Sequence, residues 1–149
     1  MTLKEKLYRH CIELVNEKIR SLQHTLLDLR ESAANETKST AGDKHETALA
    51  MLQIEQENTN RQLKDALEQK IQLNKIDIHA SAPQIINGSL VKTDKGYLFL
   101  STALGKINIH EISFIALSPQ SPLGAKLLGH TAHDITEMNG INYFIQTIE

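Results

Sequence analysis

The apolar positions of this chain follow two different rhythms. In the first, Ile12, Val15, Ile19, Leu22, Leu26, Leu29 and Ala33 recur with spacings of 3, 4, 3, 4, 3 and 4 residues. That is a coiled-coil seam sustained over about three heptads. A second helical run carries Leu49, Leu52, Leu63 and Ala66, with Leu67, Ile71 and Leu73 continuing the stripe and polar Gln56 and Thr59 interrupting it. Residues 1–75 contain no proline and one glycine, Gly42, and are rich in Leu, Glu, Lys, Gln, Arg and Ala, all good helix formers. Two such helices joined by a short polar segment predict an antiparallel helical hairpin. At about 1.5 Å per residue, a helix of this length makes an arm of roughly 45 Å.

From about Asn74 the rhythm shortens. Pro83, Asn87-Gly88, Asp94-Lys95-Gly96 and Asn139-Gly140 punctuate brief apolar stretches. LVKTDKGYLFLS reads as a β-hairpin, INIHEISFIAL as one long strand, and GINYFIQTIE as a last strand. In SPQSPLGAKLLG, Ser121 is placed as an N-cap, Pro122 at the first helical position and Gly129 as the stop. The fold class is α+β: a helical hairpin over 1–75 with an acidic tip near 40–47, then a mostly antiparallel β domain over 76–149 with one short helix.

Composition narrows the classes of function. The chain has 149 residues, a formal net charge of −2 and one cysteine, Cys11. There is no basic surplus of the kind nucleic-acid binding needs, and a disulfide framework within one chain is excluded. Residues 1–75 hold 12 Lys/Arg against 12 Asp/Glu, and residues 76–149 hold 4 against 6. Arg9, Lys18, Arg20, Arg30, Lys38, Arg61 and Lys64 are thus balanced by acids, as on a solvated coiled-coil surface. No run reaches the roughly 20 apolar residues of a spanning helix, and the amino terminus lacks a signal-peptide core. A cytoplasmic protein is expected.

The tip is the segment TAGDKHETA, residues 40–48. Asp43 is a strong N-cap, and Glu46 three residues on completes a capping arrangement that also favours the positive helix terminus. Positions three apart share one helix face, so both carboxylates can also reach one small hard cation such as magnesium, which takes oxygen ligands. These two readings are compatible. His45 beside the acids is either a solvated loop histidine or a titrating neighbour of the site. His130, His133 and Asp134 fall short of the four ligands of a structural zinc site and read first as turn and surface residues. Cys11, on an apolar helix stretch, reads as a packed residue.

Two motifs carry a family resemblance. The first is Gly42-Asp43-x-x-Glu46 at the turn of a helical hairpin. The second is Ser121-Pro122-Leu123-Gly124 followed by Leu127-Leu128-Gly129, with Ser118 just upstream and Ile76-Asp77 after the second helix. Together they resemble the Gre-type (GreA/GreB-like) transcript cleavage factors of bacterial RNA polymerase, in the right order over nearly the whole chain. The resemblance implies an antiparallel coiled coil followed by an FKBP-like domain that docks on the polymerase. It implies that the coiled coil enters the secondary channel and brings Asp43 and Glu46 to the active centre. There they would help hold a second magnesium ion, shared with the polymerase, while the polymerase cleaves its own backtracked RNA near the 3′ end. The factor would then be no enzyme alone.

The chain departs from the family pattern at Thr47, Leu49 and Ala50, where an acid and an aromatic residue are missing, and at Lys44 and His45, which bring positive or titratable groups to the tip. A channel-binding inhibitor of the same architecture, and a coiled-coil interaction module unrelated to polymerase, are the alternative readings. An FKBP-like fold by itself does not imply prolyl isomerase activity.

Overall fold

The computed structural model describes residues 1–36 and 42–149, with side chains described throughout these except at 42–45. The element order is α1 (Leu3–Glu36), α2 (Gly42–Asn74), β1 (Leu90–Thr93), β2 (Gly96–Leu100), β3 (Gly105–Ile109), β4 (Ile112–Leu117), α3 (Pro122–Leu127), β5 (Ile135–Met138) and β6 (Ile141–Ile148). This is the predicted α+β order of a long helical hairpin, then a sheet with one short helix. No helix among the described residues is long and apolar enough to cross a membrane. The chain divides into two compact units: Glu13–Lys70, and Met1–Ile12 together with Ile71–Glu149. The division therefore runs across both long helices and not at their ends.

In the helical unit, Val15, Ile19, Leu26 and Leu29 of α1 are buried, as are Thr59 and Ala66 of α2. Leu67 and Lys70 of α2 border the same groove as Glu13 to Gln23 of α1, so the start of one helix lies beside the end of the other. The buried seam differs from the predicted one in two places. Leu67 and Ile71 do not continue the stripe of α2; they are 42% and 54% exposed. On α1, Leu7 and Cys11 are sealed and Ile12 is only half-buried. Each four-residue step overshoots a 3.6-residue turn by about 40°, so the line Leu7, Cys11, Val15, Ile19 winds around α1, where a heptad seam would drift only about 20° per repeat. Buried Thr59 costs little, because its hydroxyl donates to the Glu55 carbonyl at 2.8 Å, the back-bond open to a helical threonine.

The other unit gathers both ends of the hairpin around the sheet. The Tyr8 hydroxyl donates to the Leu73 carbonyl at 2.8 Å, and Lys4 Nζ donates to Ala80 O at 2.9 Å. The six strands run in the order β3-β4-β2-β1-β6-β5. Every neighbouring pair is antiparallel except β2 with β4, which pair in parallel from Tyr97↔Phe114 to Leu100↔Leu117. Strand β2, in the interior of the sheet, buries Leu98, Phe99 and Leu100 in succession, so both of its faces are covered. One face builds a core from Val91, Leu98, Leu100, Leu117, Ile145, Ile85 and Leu127 of α3. Phe99 and Phe114 meet edge to face at 6.3 Å.

Two strand expectations are corrected. INIHEISFIAL is not one strand: it folds back at His110-Glu111 into the β3–β4 hairpin, closed by the pair Ile109↔Ile112. His110 takes the left-handed conformation the two-residue turn requires (φ 52°), a region histidine tolerates better than most side chains. Strand β5 was not anticipated. It is four residues long, and its Ile135 is 63% exposed, so it lacks the apolar alternation of a half-buried strand.

Candidate functional site

The tip acids fall in the first turns of α2. The helix begins at Gly42, so Asp43 lies inside its first turn and not at the N-cap. The side chains of Asp43 and His45, and residues 37–41 entirely, lie outside the described residues. Glu46 is exposed. The two acidic positions are three apart on one continuous helix, hence on one face, at the end of α2 remote from the Tyr8–Leu73 contact. Two hard oxygen donors at that spacing fit magnesium, which commonly takes only one or two protein carboxylates and leaves its other positions to water or phosphate. Among the described residues there is no group of three or more His, Cys, Asp or Glu that could hold a metal by itself.

The Ser-Pro-Leu-Gly segment is built as a capped turn. Ser121 has extended backbone (φ −66°, ψ 159°) and caps α3. Its Oγ accepts from Gly124 N at 3.1 Å and donates to Ser118 O at 2.7 Å. Ser118 Oγ accepts from Gln120 N at 3.1 Å. Pro122 fills the first helical position, where its missing N–H has no intrahelical role. A β-carbon on Gly124 would lie 2.1 Å from Ser118 O, which explains the glycine. The helix stops where predicted, with Leu128 as C-cap and Gly129 following at φ 86°. Leu123 and Leu127 turn inward onto the sheet core. The motif is thus a rigid corner: it fixes the short helix and leaves the 118–121 turn at the surface.

The histidine cluster does not assemble as a metal site. His130 Nδ1 lies 3.0 Å from Asp134 Oδ2, and the same carboxylate accepts from Thr131 N at 2.9 Å. The Thr131 N–H, then His130, hold the Asp134 carboxyl below its ordinary pKa. His133 is turned elsewhere, its ring 6.2 Å from that of Phe144. Cys11 is fully buried and its thiol is pushed up to about 12 by desolvation, which rules out a thiolate nucleophile at neutral pH. Phe99 and Phe114 are spent on the interior.

One feature escaped sequence reading: a cleft of about 300 Å³ bounded by Gln72 and Lys75 at the end of α2 and by Ser118 and Gln120 of the capped turn. Its residues are 48 positions apart in sequence, and no local pattern joins them.

No family model matches the chain, and no curated protein matches it. Among solved structures it is similar to that of the transcription factor Gfh1, at 16% identity over 95% of this chain and 92% of that one, with a TM-score of 0.31. A likeness that loose carries no inference about function.

Proposed function

We propose that this chain is a transcription factor of Gre type, acting on the elongation complex of a bacterial RNA polymerase. The observation that carries the reading is the placement of Asp43 and Glu46. Two acids on one face stand in the first turns of α2, at the turn of an antiparallel helical hairpin. The capped Ser121-Pro122-Leu123-Gly124 corner supports it, because the second motif of the resemblance is built here as one rigid unit. In this reading Asp43 and Glu46 would hold a magnesium ion jointly with the polymerase. A metal so placed polarises phosphoryl oxygens and lowers the pKa of a bound water. The chain's own part is to deliver and orient two carboxylates; the cleavage chemistry belongs to the polymerase.

The test uses a purified backtracked elongation complex with 3′-labelled RNA and magnesium. The parent should release short 3′ fragments. Asp43→Asn and Glu46→Gln should still bind polymerase but lose cleavage. Cleavage by either variant at the parental rate would remove the tip assignment. Slowed nucleotide addition without cleavage would make the chain a channel-binding inhibitor, a reading that Lys44 and His45 beside the acids favour. Failure to bind polymerase would leave an interaction module.

A further inference from the structure

The cleft beside the capped turn has an unusual lining. Gln72, Lys75, Asn87, Ser101, Ser118 and Gln120 contribute an ammonium, three carboxamides and two hydroxyls. No carboxylate lines it. The cleft near Lys4 is bordered by Glu5 and Glu149, and the groove on the helices by Glu13 and Glu17. A second acid-free cleft, at Lys95 and Lys106, is walled largely by Tyr97, Phe114 and Ile115; the one beside the capped turn surrounds its lysine with carboxamides and hydroxyls.

Bonds already made set the hydrogen-bonding of two lining groups. The Gln72 Oε1 accepts from the hydroxyl of fully buried Thr102, which turns the amide oxygen toward Thr102 and leaves Nε2 as the carboxamide's donor. The Ser118 Oγ already accepts from Gln120 N, so its own proton is available to donate. Lys75 can only donate, and among the described residues its ammonium makes no ion pair. Gln72 and Lys75 stand three apart on one helical turn, kept regular past Asn74 by Lys75 N donating to Ile71 O at 3.2 Å. One face of the cleft therefore offers a positive charge flanked by oriented donors.

We infer that this cleft is a binding site for the phosphate group of a small soluble phosphate ester, with Lys75, Gln72 and Ser118 donating to its oxygens. A volume of about 300 Å³ exceeds what a bare oxyanion fills and lies at the lower end for ligand pockets. The remainder is lined by the carboxamides of Asn87 and Gln120, which both donate and accept, and by the Ser101 hydroxyl. A hydroxylated carbon skeleton, as in a sugar phosphate, can bond to them and rest its carbons against Pro119. Ser101 can accept from such a hydroxyl, since its own proton goes to Phe99 O at 3.3 Å.

The site is independent of polymerase binding, so its test needs only the full chain. Ribose 5-phosphate is titrated into ¹⁵N-labelled protein at constant ionic strength, beside ribose, sodium chloride and acetate. The backbone amides of residues 72, 75, 101, 118 and 120 should shift saturably with the ester and stay in place with ribose or chloride. Lys75→Met and Ser118→Ala should each weaken binding about tenfold, the usual loss for a charged or charge-assisted hydrogen bond. Unchanged amide dispersion in both variants would show that the fold survives. The inference is overturned by absence of saturable shifts, by equal shifts from chloride, or by parental affinity in Lys75→Met. Acetate binding as tightly as the ester would also overturn it, in favour of a carboxylate from a protein partner.

Discussion

Gly124→Ala is the substitution whose sign is most sharply set by the structure. In an unobstructed helix, alanine in place of glycine stabilises by about 1 kcal/mol. Here the new β-carbon would lie 2.1 Å from Ser118 O, 2.9 Å from Ser121 Oγ and 3.0 Å from Pro119 Cα. Two of these atoms are backbone and cannot rotate away. The third belongs to the capping hydroxyl, which bonds both Gly124 N and Ser118 O. Overpacking of this kind costs about 1–3 kcal/mol, and loss of the cap costs about 1 kcal/mol more. After the propensity gain, a net loss of about 2 kcal/mol remains. With a urea slope of about 1–3 kcal/mol/M, the unfolding midpoint should fall by about 1 M. Tyrosine fluorescence reports it, since Tyr97 and Tyr143 lie in the sheet and the chain has no tryptophan. Gly129→Ala is the internal comparison. It has φ 86° but no atom within 4 Å of its added β-carbon, so it pays only the left-handed strain of about 1–2 kcal/mol. A midpoint for Gly124→Ala at or above that of the parent would refute the steric account of the motif.

Three further outcomes are expected. At pH 8 a disulfide reagent such as DTNB should leave Cys11 unlabelled in the native protein and label it readily in urea, because its thiol is sealed and raised to about 12; fast native labelling would contradict the packing of α1. Asp134 has a folded pKa below its ordinary value, chiefly through the Thr131 N–H, so its contribution is present above about pH 4 and disappears as pH falls through the folded value. Asp134→Asn should therefore be less stable than the parent near pH 7, with the gap closing in acid, and a pH-independent gap in parallel melts would exclude the linkage. Leu127→Ala removes a fully buried side chain of α3 from the core and should cost about 2–5 kcal/mol in the same urea assay; a loss below about 1 kcal/mol would show that α3 is not seated on the sheet.

The helices were legible because their signal is dense and local. The 3-4 spacing from Val15 to Leu29 needs no partner to be seen, and those residues are largely buried. The cap at Ser121 and the stop at Gly129 were equally local and stand where the residues placed them. What failed was information held elsewhere in the chain. Leu67 and Ile71 look like their buried neighbours, and only the opposing helix decides their exposure. His110 gave no warning of a turn, because nothing in the apolar run around it separates one strand from two until the pairing of Ile107 with Phe114 is known. Of the candidate site, the acids and the serine-proline corner could be read as motifs. The donor-lined cleft could not, since it exists only where the end of α2 meets a turn far along the chain.

The place of β6 in the sheet also bears on how the protein is made. Strand β6, the last of the sheet in chain order, pairs with β1 on one side and β5 on the other, and Glu149 N donates to Leu90 O at 2.8 Å across that seam. Until β6 arrives, β1 and β5 each have an open flank, and such flanks are templates for pairing with other chains. The unit also includes Met1–Ile12, far from β6 in sequence. Contacts so far apart in sequence slow folding, so the helices can form early while the sheet is completed only once β6 is present.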